Sequence, residues 1–499
     1  MLQRRTLVGM RPNRAVDLDF ASVRAEYELP SAFPDEVERE AANAQDRFAA
    51  DRIDAREIPF VTIDPPGSLD LDQAVHLERT TDGFRLSYAI ADVGAFIEPG
   101  GALDTEARLR GQTIYLPDGS VPLHPRILGE QLASLVAGED RPAVLWQIDA
   151  DASGRLRRAR LRRALVHVTA RLDYAGVQDA VDRDVALPPA IEALPSFGAV
   201  RAHRALERGA IELQLPAQEL TAVEGGWRLR LEPRTQVDAW NSECSLATGI
   251  AAAAIMVRGG AGLLRTLPRP DAESLARFRD AARAFGIEPG DAAPGALLAS
   301  LPPQELSTLA LNMAATKLLR GSGYLAFDTR AGDALPSADR RSHAGVANEY
   351  AHVTAPIRRL ADRFGTELCL ELSDGEWFDF DEQDAQEAAG DAAAPVAKES
   401  ASPLADIPAI MQRTGQLANA VDNACLNLAE ATALADQVGS EFAAGMLRPG
   451  DGKHDAEVFV FDPPVIAQCR GDVPPGRRIQ VRLIEADIAK RRVRFELAE

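Results

Sequence analysis

At 499 residues the chain is long enough for about three domains, and its 46% hydrophobic and 26% charged residues are those of an ordinary soluble globular protein. A net charge of −20 excludes a protein that coats nucleic acid by bulk attraction, but not a local basic channel, and arginine does cluster at Arg155–Arg163 and in KRRVR from Lys490. Cys244, Cys369, Cys425 and Cys469 are far apart and form no C-x-x-C pair, so neither a disulfide framework nor a zinc site is expected, and a reducing cytoplasm fits. The most apolar run, Ile250–Val257, is too short to span a membrane, and the N-terminus lacks the apolar core of a signal peptide.

Residues 1–50 form a basic arm followed by a helix that starts near Pro34, with Asp35 and Glu36 in its first turn. From about 51 to 165 the pattern is strand-rich: Phe84–Ile97 reads as a strand ending near Gly94. Val144–Val168 reads as a hairpin through Asp151–Gly154, and the segment from Thr113 to Pro125 as turn-rich. Helices dominate from about 199 to 372. One spans Thr235–Val257 and is buried through its alanine-rich half, one is capped by Asp271 and stopped by Gly286, and one runs from Pro303 to Gly321. Residues 374–400 carry nine acids against one lysine and read as a solvated insertion. Helix returns from Pro408 to Gln437. The last sixty residues are strand-like and suit a small OB-like barrel.

The stretch Thr62–Ala74, TIDPPGSLDLDQA, crowds Asp64, Asp70 and Asp72 into nine positions beside Gln73, between two apolar runs. Three carboxylates together repel one another unless protons or cations neutralise them, and hard oxygen ligands suit Mg²⁺ or Mn²⁺. Asp70 and Asp72 are expected on one strand face, with Asp64 approaching from the preceding strand across the Pro65-Pro66-Gly67 turn. Asp residues beside Pro and Gly are also ordinary turn formers and helix caps, and that reading stays open on this stretch alone.

Five blocks in order extend the case: LPSAFPDEV, TIDPPGSLDLDQA, LSYAIADVGAFI, IYLPDGSVPLHPRILGEQLASLVAGEDRPA, and HAGVANEYAHVTAPIRRLAD from His343 to Asp362. Together they resemble the ribonuclease II and ribonuclease R family of exoribonucleases over about residues 30–436. The resemblance implies an α+β fold: a catalytic domain of mixed sheet and packed helices at 51–436, followed by an OB-like RNA-binding barrel at 437–499. It further implies metal-dependent, processive hydrolysis of single-stranded RNA from the 3′ end to nucleoside 5′-monophosphates. DNA is not expected to be cleaved, and a cytoplasmic monomer is expected.

Residue by residue, the resemblance makes Asp64, Asp70, Asp72 and Gln73 the positions that hold Mg²⁺ or Mn²⁺, with Asp72 closest to catalysis. Arg358 falls beside the scissile phosphate and Arg359 on the RNA backbone. Tyr115 stacks on the terminal base, Tyr174 lies at the cleft, Glu243 is a candidate for reading the 2′-hydroxyl, and Glu430 approaches the site from a late helix. Two positions depart from the pattern. The family motif usually ends in two adjacent aspartates, where this chain has Asp72-Gln73, and a stacking aromatic is replaced by Leu220, with Trp227 or Trp240 as possible substitutes. The rivals are a catalytically silent RNA-binding protein, motivated by Gln73, and an endonuclease or small-molecule phosphodiesterase.

Overall fold

The computed structural model describes residues 17–381 and 404–498, apart from Pro233, Gln304 and Asp451. The basic arm and most of the acidic insertion lie outside the described residues.

The main sheet is built from β1 (Ile53–Asp54), β2 (Phe60–Ile63), β3 (Gln73–Arg79) and β4 (Gly83–Ala91), then, past the small β5–β6 hairpin (Ile114–Leu116 and Gly119–Val121), from β7 (Asp140–Asp151) and β8 (Leu156–Leu172). The strands β2, β3, β4 and β7 run antiparallel in that order. The long β8 pairs antiparallel with β7 through its first part and parallel with β2 through its end, so the sheet curls back on itself. Alternation explains the layering: Leu77, Leu86, Tyr88, Trp146, Ile148 and Leu161 are buried in one core. Ala89, Leu145, Val166 and Val168 enter a second.

The helix Gln236–Arg258 is capped by reciprocal bonds between Thr235 and Asp238, and its alanine run, Ala251 to Ala253, is wholly buried. Small side chains let other elements approach it closely. At Gly249 the carbonyl accepts the Ala351 N–H, where a side chain would meet the Tyr350 ring. The late helix, Ile407–Leu434, leads into a closed barrel of Glu441–Arg448, Ala456–Phe461, Pro464–Arg470, Arg478–Asp487 and Arg492–Leu497.

Several expectations change. The strand from Phe84 ends at Ala91 and gives way to a tight turn, Val93–Phe96. The helix after Pro34 stops at Ala42. The region 199–372 also holds strands: the hairpin Ala217–Val223 with Gly226–Glu232, and the pair Ala261–Thr266 with Gly323–Asp328. In the first hairpin Leu229 is buried, with Leu220 and Leu231 packed against the same core. The insertion does not begin at 374, because Phe378 is buried and pairs with Ala159 of β8. Its aromatic side chain has a core to enter.

Candidate active site

Three local constraints set the aspartate loop. The Asp64 N–H donates to the Leu172 carbonyl at 3.2 Å, so Asp64 continues the β2–β8 pairing past the end of β2. Gly67 takes φ +88°, which its missing Cβ permits, and Ser68 closes the turn on the Pro65 carbonyl. Leu71 is buried, and its N–H is held by the Ser134 hydroxyl at 3.0 Å, while that hydroxyl donates to the Leu69 carbonyl. Asp70 and Asp72 therefore flank an anchored leucine in a loop, before β3 begins at Gln73. They do not share a strand face as expected.

Asp72 is 4% exposed. Its Oδ1 accepts the Ile357 N–H at 2.7 Å, and Arg358 Nε stands 3.5 Å from its Oδ2. Burial pushes the Asp72 carboxyl up to about 8 against the opposing pull of Arg358 and the Ile357 N–H. Asp64 is pushed up to about 6, again by burial, with Arg171 and Arg358 opposing and Asp70 adding to the rise. Asp64 Oδ2 is buried without a hydrogen-bond partner. At the rim, the half-exposed Tyr115 on β5 donates its hydroxyl to Asp70 Oδ2 at 3.2 Å. Tyr174 comes within the field of Asp64 and Arg358, and its hydroxyl accepts from Asn241.

Arg358 sits on a loop with few free polar groups. Its carbonyl accepts the Thr113 N–H at 2.9 Å, just before β5. Arg359 is committed to Asp362 at 2.6 and 3.1 Å, and Asp362 also accepts the Ala355 N–H. Neighbouring arginines thus diverge. Arg358 is half exposed and faces Asp72, whereas Arg359 is paired with Asp362 within its own loop.

Other expected residues also find partners inside the protein. Gln73, expected among the metal ligands, instead donates its Nε2 to the Thr354 carbonyl at 2.7 Å and accepts the Tyr88 hydroxyl on its Oε1 at 2.6 Å. Glu430 does not join the acidic cluster: it accepts from Gln218 and from the Ile466 N–H, linking the late helix to the barrel. Glu243 is buried against Arg201 at 3.4 Å, which sets it in the protein's own ion pair. Leu220 and Trp227 lie in a small core with Phe20, whose ring meets Trp227 edge-on at 5.6 Å, so Trp227 is engaged in packing. Asp362 and Tyr88 escaped sequence reasoning. Asp362 lies three residues after Arg359 in a motif already singled out, a spacing that does permit a local ion pair.

Among the described residues no three His, Cys, Asp or Glu side chains converge as a metal cluster. The donor set nevertheless suits a divalent cation: burial raises the carboxyls of Asp64 and Asp72, and one oxygen of Asp64 has no hydrogen-bond partner.

The chain matches the RNB domain over residues 52–365 and the RNase II-type exonuclease C-terminal S1 domain over residues 440–498. It is 30% identical to Ribonuclease R of Escherichia coli over 378 residues, which cover 71% of this chain and 44% of that protein. It is 31% identical to Ribonuclease R of Vibrio cholerae over 354 residues, covering 67% and 42%. The matched part thus spans less than half the length of these curated relatives. The fold is similar to that of Mycoplasma genitalium RNase R in complex with ribose-methylated single-stranded RNA, with a TM-score of 0.80, 18% identity, and coverage of 96% of this chain and 77% of that one. It is also similar to yeast Ssd1, described as a pseudonuclease, with a TM-score of 0.59, 16% identity, and coverage of 96% and 55%. The curled sheet, the closed barrel and the matched 52–365 segment together place this chain in the RNB-domain family.

Proposed function

We propose that the chain is a metal-dependent hydrolytic exoribonuclease that degrades single-stranded RNA processively from the 3′ end to nucleoside 5′-monophosphates. The observation that carries this reading is the opposition of Asp72 and Arg358 across 3.5 Å, beside the partnerless oxygen of Asp64. Asp64, Asp70 and Asp72 are the residues that would hold Mg²⁺ or Mn²⁺, which supplies a Lewis acid and an activated water for phosphodiester hydrolysis.

The chain's own groups do the rest. Arg358 is anchored through its backbone and half exposed at its head, so its guanidinium can turn to a phosphate and stabilise developing negative charge. The Ile357 N–H holds Asp72 by its Oδ1, leaving Oδ2 toward Arg358. Tyr115 offers an exposed ring at the mouth, and stacking on a base is worth about 1–3 kcal/mol whatever the base, which suits an enzyme without sequence preference. A cytoplasmic monomer acting on RNA and not on DNA completes the reading; the four cysteines are unpaired and buried, as a reducing compartment favours.

The test is 5′-labelled single-stranded RNA with and without Mg²⁺ or Mn²⁺, beside a DNA control. Metal-dependent shortening from the 3′ end with release of mononucleotides is expected, and intact RNA under both metals would overturn the reading. A second reading, a catalytically silent RNA-binding protein, is favoured by Gln73, which puts an amide held by protein bonds where a further carboxylate is usual. It predicts RNA affinity without mononucleotides.

A further inference from the structure

Position 73 faces one acceptor and one donor, a pair that an amide satisfies together and a carboxylate does not. The Thr354 carbonyl needs a donor, and Gln73 Nε2 supplies it at 2.7 Å. On the other side, Gln73 Oε1 accepts the Tyr88 hydroxyl, which lies 3.0 Å from the Ser245 hydroxyl on the long helix. A neutral chain therefore runs from Ser245 through Tyr88 and Gln73 to Thr354. Next to it, Asp72 accepts the Ile357 N–H. Adjacent residues thus grip one loop at two points three residues apart, and that loop carries Arg358.

We infer that Gln73 is a positioning residue: its amide ties the aspartate loop to the arginine loop and so sets where Arg358 stands relative to Asp72, and it does not ligate metal. An aspartate at position 73 would be a methylene shorter and would turn an oxygen toward the Thr354 carbonyl, exchanging a donor–acceptor contact for a repulsive one. Introducing a carboxylate there is therefore expected to disrupt the tether and not to improve the metal site. The metal part of this inference rests on the proposed metal-dependent activity. The tether does not.

The test uses the full chain as wild type and as Gln73→Ala, Gln73→Glu and Gln73→Asp, with three readouts. In EDTA, hydrogen exchange in the peptide covering Ala351–Arg359 is expected to quicken about tenfold in all three variants, through loss of the Thr354 bond and loosening of the Ile357 bond. Titration with Mn²⁺ alone, followed by electron paramagnetic resonance, is expected to give Gln73→Ala an affinity within about threefold of wild type. In EDTA, Gln73→Ala is expected to weaken binding of a short single-stranded RNA about fivefold in the wild-type background, and not at all in Arg358→Ala, because the effect passes through that arginine.

Unchanged exchange in Gln73→Ala overturns the tether, and additive RNA effects overturn its action through Arg358. A tenfold loss of Mn²⁺ affinity in Gln73→Ala, or a tenfold gain in Gln73→Asp with wild-type exchange, shows that the position ligates metal and overturns the assignment. If the wild-type chain binds no Mn²⁺ at all, the metal-dependent activity fails, while hydrogen exchange still decides the tether. Should Gln73→Ala fold poorly, Gln73→Glu, which keeps the size of the side chain, carries the same exchange prediction.

Discussion

Asp72 and Asp104 are both buried, Asp72 the more deeply, and their carboxyls move in opposite directions. Burial tends to raise both. At Asp104 it is overridden by Arg363, a hydrogen bond from the Gly100 N–H and Arg108 at 3.4 Å, so the carboxyl lies below the usual range. At Asp72 the one nearby guanidinium stands 3.5 Å away and half in solvent, and the carboxyl rises to about 8. Asp46, held by Arg52, follows Asp104. Between these two, Asp104 is neutralised from within by its arginines, while Asp72 has one half-exposed guanidinium beside it.

The sharpest way to break the contrast is at its centre. Asp72→Asn is expected to cut mononucleotide release by at least about a thousandfold while circular dichroism and RNA binding persist. Retention of wild-type hydrolysis by this variant would falsify the site assignment. Arg358→Ala should lower kcat by about a hundredfold or more, and Arg358→Lys should recover only part of it, since a point charge lacks the planar fork. Loss confined to KM, with kcat intact, would make Arg358 a binding group only.

On the structural side, Asp104→Asn strands Arg363 in the interior. About 3–5 kcal/mol of stability should be lost in urea unfolding, with the Mn²⁺ affinity of the remaining folded protein unchanged. The two carboxylates should also give opposite pH slopes. Asp72 binds its proton more tightly folded than unfolded, so its contribution is full below the ordinary value of 3.8 and is lost as pH rises toward about 8. In EDTA, Tm should therefore fall between about pH 5 and pH 8. The fall should be smaller in Asp72→Asn and reversed by Mn²⁺, which replaces the proton. Asp104, lowered in the folded state, contributes above 3.8 and is lost on acidification. A wild-type Tm that is flat from pH 5 to pH 8, with or without metal, would remove the basis of the contrast.

How much of this was legible in the sequence depended on where each residue's partner lay. Asp64, Asp70 and Asp72 stood out because three acids in a short apolar frame repel one another, although on that stretch alone they read equally as turn formers. The barrel was readable from strand count and length. Gln73 was not, because its role is set by Thr354, far along the chain, and by a tyrosine on another strand. Arg359 and Glu430 looked equally available to RNA in sequence. Asp362, which takes the first, lies three residues on in the same motif, whereas only tertiary contacts show that Gln218 and the Ile466 N–H take the second. Residue type announces chemistry, and packing decides whether the group is free to perform it.

Tyr115 offers the mildest and most local refinement. Its ring is half exposed while its hydroxyl reaches Asp70, so it serves both the mouth of the site and the aspartate loop. Tyr115→Phe keeps the ring and removes only the hydroxyl, whereas Tyr115→Ala removes both. If stacking dominates, the alanine variant should weaken RNA binding in EDTA by about tenfold, a cost of about 1–3 kcal/mol, and the phenylalanine variant should match wild type. The hydroxyl's contribution should then surface only in the Mn²⁺ titration: Asp70 loses a neutral donor that competes with the cation for its oxygen, so Tyr115→Phe should bind Mn²⁺ as tightly as wild type or slightly tighter. A loss of Mn²⁺ affinity in Tyr115→Phe would mean instead that the hydroxyl holds Asp70 in its ligating position, and would make Tyr115 part of the same positioning framework as the Ile357 N–H.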